Sequence, residues 1–260
     1  MGETAELLRR ADLALSLPRL GGMARPNGVV IVSERYWAFA GVDGSLREGR
    51  MQHPPESLQR LPLARGLVRL WSSLAPVLRP GGVAPSRERY LIITALLAPI
   101  GLAFVGGPWS TASGVVLSLG LLFTILRGRA LQLHGAEHRA IAAAEEQRLL
   151  ATWDGVAHPS RFSLRCGTNF AALLMPVAVF GGRLWPLPAT AFTPLVVSVL
   201  ALALTMELWL LVQGSRRLAR VVLLPGLGLQ RITTREPELH ETRVALTAVA
   251  SVLRRESAHG

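Results

Sequence analysis

The 260-residue chain has no lysine and only one cysteine. All 28 basic residues are therefore arginine, set against 17 acidic ones for a formal net charge of +11. Exclusion of lysine along the whole chain points to GC-rich coding rather than to the chemistry of any one site. With Cys166 alone, no intrachain disulfide can form. The first residues lack the continuous apolar core of a signal peptide, because Glu3, Glu6, Arg9, Arg10 and Asp12 interrupt it. Membrane insertion is then expected to be driven by internal helices. Also absent are a nucleic-acid-binding module and any interleaving of aromatic with basic residues that could stack bases. The arginine excess is read as topology control and attraction to an anionic membrane surface, with no nucleic-acid partner.

Half of the residues are apolar, and they cluster into runs suited to spanning lipid. The expectation is a mainly α, polytopic membrane protein with about four transmembrane helices and a small N-terminal β element. Residues 1–56 form an N-terminal cytoplasmic segment. It opens on an amphipathic helix over 3–17, ended by Pro18 and Gly21-Gly22. The β-branched run Val29 to Val32, then Tyr36, Trp37 and Phe39, with the turn signal Asp43-Gly44, predicts a β-hairpin or three-strand meander. Residues 57–89 hold an amphipathic helix with interleaved arginines, either interfacial or packed on the protein's own core. The membrane domain covers 90–213, with spans at 90–105, 111–126, 169–182 and 189–212, the third spanning or re-entering. Residues 127–168 form a cytoplasmic loop between the second and third spans. Residues 214–260 form a cytoplasmic loop and helix. There Pro225, Gly226 and Gly228 argue against a continuous helix, and 238–255 reads as a terminal amphipathic helix.

Arginine placement sets the orientation. Residues 106–110 carry no charge and 181–188 only Arg183, whereas 127–169 carries Arg127, Arg129, Arg139, Arg148, Arg161 and Arg165. The consistent solution is a multi-pass protein of the cell membrane with both termini cytoplasmic.

The sharpest chemical feature is His134-Gly135-Ala136-Glu137-His138. Histidines at i and i+4 share one face of a helix and can reach one metal ion. The string fits H-x-x-E-H, in which Glu137 would be the general base that activates a metal-bound water. A bare pair of histidines on a polar helix fits it too. A third ligand must come from elsewhere: Asp154, His158, Cys166 and Glu207 are the candidates. Glu145 lies on the same stripe, but it is about 10 Å of helix rise beyond His138 and cannot join the same ion on a straight helix. It is a second-site group or a surface carboxylate. Glu207 interrupts the long last apolar run, where a carboxylate is costly and usually paired or functional.

With these residues in hand, the sequence resembles the YqhQ-like family, domain of unknown function 1385. The resemblance runs in order over most of the chain. It rests on Gly21-Gly22-Met23-Ala24 with Gly28-Val29, on Pro62-Leu63-Ala64-Arg65-Gly66, and on His134 to His138 with Ile141 and Glu145. It continues through Arg165-Cys166-Gly167-Thr168, Glu207, Pro225-Gly226-Leu227, Leu229-Gln230-Arg231 and Thr233 to Pro237. It implies a bacterial membrane protein, described in the family as a predicted metal-dependent enzyme, and strengthens His134, His138, Cys166 and Glu207 as metal ligands. The chain departs from the family pattern at Met23 and Asn27 (for Gln and Glu), Ala144 and Met206 (for Tyr), Ser163 and Leu164 (for His-Pro) and Arg243 (for Glu). It therefore resembles a divergent member.

The reading is a metal-dependent membrane enzyme, a hydrolase acting at the cytoplasmic face, with a divalent metal, zinc, as cofactor. The alternative is a non-catalytic membrane scaffold or assembly factor, favoured by the departures, with a membrane-protein partner or a second copy of itself beside the bilayer.

Overall fold

The computed structural model describes residues 2–105, 113, 116–117, 120, 127–188, 190 and 192–258. In chain order the elements are α1 (Glu3–Asp12), β1 (Gly21–Arg25), β2 (Gly28–Val32), β3 (Tyr36–Gly41), β4 (Leu46–Arg50), α2 (Glu56–Arg60), α3 (Ala64–Leu78) and α4 (Ser86–Val105). They continue with α5 (Arg129–Glu145), α6 (Leu149–Trp153), α7 (Gly167–Arg183), α8 (Thr193–Gln213), α9 (Arg216–Val222), α10 (Leu224–Thr233) and α11 (Leu239–Ser257). The chain divides into two compact units. The first joins Met1–His53, Leu126–Cys166 and Leu227–Gly260; the second joins Pro54–Ile125 and Gly167–Gly226.

The first unit is a four-stranded antiparallel meander, β1-β2-β3-β4, packed against α5 and α11. Alternation along the strands sends Val29, Ile31, Ala38 and Ala40 into the helix-facing core, together with Leu133, Ala136, Ala140, Leu246, Val249 and Val252. The other sheet face pairs Val30 with Phe39, with the Arg25 guanidinium 5.6 Å from the Phe39 ring centre. The sequence predicts two or three strands here. Strands β1 and β4 escape that reading because Gly-Gly-Met-Ala-Arg and Leu-Arg-Glu-Gly-Arg carry no β-branched run; pairing with β2 and β3 makes them strands. The terminal helix is also deeper than an amphipathic surface helix, since eleven of the residues of α11, from Glu241 to Leu253, are buried. Helix α1 stops at Asp12, whose carboxylate accepts from the main-chain N–H groups of Leu149 and Leu150 and so caps α6.

The second unit is helical. Here the expectation of about four transmembrane helices is corrected: among the described residues one helix, α8, is long and apolar enough to cross a membrane. The 111–126 run and the 106–110 loop lie largely outside the described residues. Helix α4 spends its first turn on Arg87, Glu88 and Arg89, leaving an apolar rise of about 24 Å against a hydrocarbon thickness of about 30 Å. Helix α7 has 17 residues, with Pro176 inside it, and rises about 26 Å.

Helix α8 packs along α7 and α3. Phe170 and Trp209 meet edge to face with ring centres 6.0 Å apart. Gly66 admits α3 to α8, because a Cβ there would stand 2.6 Å from Cβ of Met206. The predicted helix of 57–79 breaks at Leu61-Pro62-Leu63, where Leu63 takes φ +66°. After α8, the prolines and glycines do not prevent a helix: α10 runs from Leu224 with Pro225 in its first turn, where the missing N–H costs no bond. Gly226 lies against Asn169, whose side-chain oxygen would be 2.3 Å from a Cβ.

Leu246 is fully buried at the centre of α11. Leu246→Ala should destabilise the first unit by about 2–5 kcal/mol, read as faster hydrogen exchange of the α5 and α11 amides. Unchanged protection would contradict the central place given to α11.

Candidate metal centre

Helix α5 carries the histidines and is buried on most of its circumference. Its alanines at 136, 140, 143 and 144 let neighbours approach closely. The last of these neighbours is the segment between α10 and α11, which crosses α5 at Gly135. A Cβ at Gly135 would stand 2.1 Å from the Arg235 carbonyl oxygen, and the Arg235 N–H donates to the Leu131 carbonyl at 2.9 Å. The glycine of the histidine motif is what lets this strap lie across the helix.

The strap orients the first histidine. His134 Nδ1 lies 2.8 Å from the Thr233 carbonyl oxygen. His138 Nδ1 lies 2.7 Å from the Arg161 carbonyl oxygen. A carbonyl only accepts, so each Nδ1 carries the proton, and in a neutral ring each Nε2 keeps its lone pair. Burial pushes the pKa of His134 below the usual histidine range. Burial, reinforced by the neighbouring His134 and opposed by the Arg161 carbonyl, takes His138 down to about 3. Both rings are thus neutral at pH 7.

Cys166 joins the two histidines. His134 Nε2 is 3.2 Å from Cys166 Sγ, and the two imidazole centres are 4.6 Å apart. Donor atoms of His134, His138 and Cys166 all lie within 4.8 Å of one another. A tetrahedral zinc with bonds of about 2.0 Å to nitrogen and 2.3 Å to sulfur holds such atoms about 3.5 Å apart. His138 Nε2 is buried with no hydrogen-bond partner among the described residues. An orphaned buried acceptor on a residue of this trio is what a metal ion would satisfy, and two imidazoles with a thiolate suit zinc. The residues present fit such an ion.

The structure brings together three of the sequence candidates and not the others. Glu207 belongs to the second unit, where its carboxylate takes the Arg65 guanidinium and the Leu63 N–H at 3.0 Å. The Pro-Leu-x-Arg-Gly motif and the acidic position of α8 are therefore partners of one another. Glu145 pairs with Arg165 at 2.8 Å on the surface, and His158 and Asp154 are exposed. Glu137 turns from the donor cluster to β1: its carboxyl oxygen would lie 2.8 Å from a Cβ at Gly22, and it takes a main-chain hydrogen bond from Ala24. Sequence reasoning missed the two carbonyls of Arg161 and Thr233, which no residue type announces. The only signal near them was the Thr233 to Pro237 motif.

A family model described as "Protein of unknown function (DUF1385)" matches residues 115–255, more than half of the chain. The chain belongs to this family. The matched region contains His134, His138 and Cys166. The uncharacterized protein YqhQ of Bacillus subtilis (strain 168) is 32% identical over 157 residues, which cover 55% of this chain and 48% of that protein. The chain thus spans about half the length of this relative. No solved structure matches.

Burial pushes the Glu137 carboxyl up to about 8, against the Ala24 hydrogen bond that lowers it. Below the ordinary value of 4.5, folded and unfolded chains both hold the proton and nothing is lost. Between 4.5 and about 8 the unfolded chain releases a proton that the folded chain keeps, so stability falls as pH rises. Glu137→Gln should flatten that decline in unfolding measured from pH 5 to 8; an equally steep decline in the variant would show that another group causes it.

Proposed function

We propose that this chain is a membrane-associated, metal-dependent enzyme whose divalent ion, zinc, is held by His134, His138 and Cys166. One observation carries the reading. Both Nδ1 protons are taken up by main-chain carbonyls, which leaves His134 Nε2 3.2 Å from the Cys166 sulfur and His138 Nε2 buried without a hydrogen-bond partner among the described residues, in a trio whose donor atoms lie within 4.8 Å of one another. Three protein ligands are the count that catalytic rather than structural zinc would use. An ion held by these residues would acidify a water for nucleophilic attack, which favours hydrolysis as the reaction class. Glu137, held protonated against β1, is a poor proton acceptor at neutral pH, so the reading does not use it as the base. The competing reading is a non-catalytic membrane scaffold, with a membrane protein or a second copy as partner.

The membrane part of the proposal rests on α8. Only 28% of its most apolar stretch is buried within the protein, and Val196, Val199, Leu200, Leu204 and Leu211 are exposed. Its partner α7 exposes Met175, Val179 and Phe180. Water disfavours such a surface and lipid does not. The first unit is assembled from chain on both sides of this helical pair, which supports a reading in which both ends of the pair emerge on one side of the bilayer. Arg165, Arg217 and Arg220 at those ends favour the cytoplasmic side. The α7–α8 pair is therefore read as dipping into lipid and returning to the cytoplasmic face, with both termini and the metal site on that face.

Purified full-length protein should carry about one zinc per chain, and His134→Ala and His138→Ala should each lose most of it. Elemental analysis gives the count. A metal-free protein that still complements a deletion strain would favour the scaffold. Membranes washed in alkaline carbonate should retain the chain; release into the wash would remove α8 from the bilayer.

A further inference from the structure

Arg139 follows His138 on α5, and its side chain is almost wholly buried. A guanidinium in such a place is costly unless every donor finds a partner. Its Nε donates to the Pro159 carbonyl at 3.2 Å and its Nη1 to the Pro237 carbonyl at 3.3 Å. Its Nη2 is paired with the Glu236 carboxylate. Pro159 stands two residues before Arg161, whose carbonyl takes the His138 proton. Pro237 stands four residues after Thr233, whose carbonyl takes the His134 proton. One side chain thus holds both segments that orient the imidazoles.

A second guanidinium closes the link from the other side. Arg161 Nη1 donates to the Thr234 carbonyl at 2.8 Å, and its Nε lies 3.4 Å from Glu236. Beneath them, buried Gln230 accepts from the Ser163 N–H at 2.9 Å and donates to the Ser163 carbonyl at 2.7 Å. The segments 159–163 and 230–237 are tied together at three levels, with Arg139 the one tie that starts from the histidine helix itself.

We propose that Arg139 is the positioning residue of the metal centre, setting the spacing between the segments that present the Arg161 and Thr233 carbonyls to His138 and His134. The inference rests on the metal reading above. An apolar side chain could fill the same volume. Only a planar fork with donors at fixed angles holds two carbonyls and a carboxylate in one arrangement. Lysine, a single point donor, cannot reproduce it.

The test uses the full chain purified in detergent, with zinc and cobalt(II) as probes. Zinc affinity is measured by chelator competition, the cobalt site by its visible absorption, and folding by thermal unfolding without metal. Arg139→Lys and Arg139→Gln should bind zinc about 10- to 100-fold more weakly and change the cobalt bands. Arg148→Gln, which breaks only the surface pair with Glu146, should match the parent. Should loss of the buried guanidinium prevent folding, Glu236→Gln, at an exposed residue, gives the answer: weaker zinc binding supports the proposal and parental binding overturns it. Arg139→Lys with parental zinc affinity and cobalt spectrum overturns it while the metal reading stands. A parent chain that binds neither ion removes the metal reading itself.

Discussion

Two main-chain carbonyls, of Thr233 and Arg161, each accept the Nδ1 proton of an imidazole on α5, and the arrangement of the site follows from that exchange. The protons select the tautomer, and the tautomer leaves both Nε2 atoms as acceptors, that of His134 beside Cys166. To deliver those carbonyls, two segments far apart in the chain must lie against the helix. Gly135 gives one of them room, and the buried guanidinium of Arg139 ties it to the other. The sheet behind α5 then serves as a backing. It is small, but with α11 it buries the rest of the helix, so that α5 cannot rotate away from its partners.

That backing explains the glycines at the start of the chain. Gly22 on β1 lies where any side chain would meet the Glu137 carboxyl, so α5 seats on the strand through a buried acid rather than through apolar packing alone. The acid stays protonated because burial outweighs the single Ala24 hydrogen bond. In the second unit, Gly66 brings α3 onto α8, and the same turn sets Leu63 and Arg65 on Glu207. A carboxylate inside an apolar helix is thereby neutralised by a group from outside that helix.

Much of this was legible in the residues and some was not. The i, i+4 spacing of His134 and His138 sufficed to predict a shared face, because helical geometry is local. The β-branched run announced β2, but β1 and β4 become strands only through pairing, which local propensity does not encode. Hydropathy alone turns the runs at 90–105 and 169–182 into spans; the first turn of α4 and the proline in α7 argue against them, and α8 alone passes among the described residues. From the sequence Glu207 reads as a ligand because its cost demands a partner. The partner is Arg65, more than a hundred positions away, and no spacing rule joins the two. Cys166 and the two orienting carbonyls come from the loop after α6 and the last residue of α10, and they meet His134 and His138 only in the fold.

The second imidazole bears on two chemistries open to the same trio. His134 Nε2 beside Cys166 Sγ, with Nδ1 held by a carbonyl, also has the base, nucleophile and orienter of a cysteine–histidine dyad. A dyad needs one ring. In a dyad His138 would spend a buried, oriented acceptor on nothing, at a cost of about 1–3 kcal/mol for the unsatisfied atom, while its neutral ring adds no charge to stabilise a thiolate. A metal ion held there would turn that cost into a bond and would draw the proton from Cys166 by its own charge. The same neutrality that weakens His138 as a partner for a thiolate makes it a good ligand, and the carbonyl of Arg161 is what keeps it in that form.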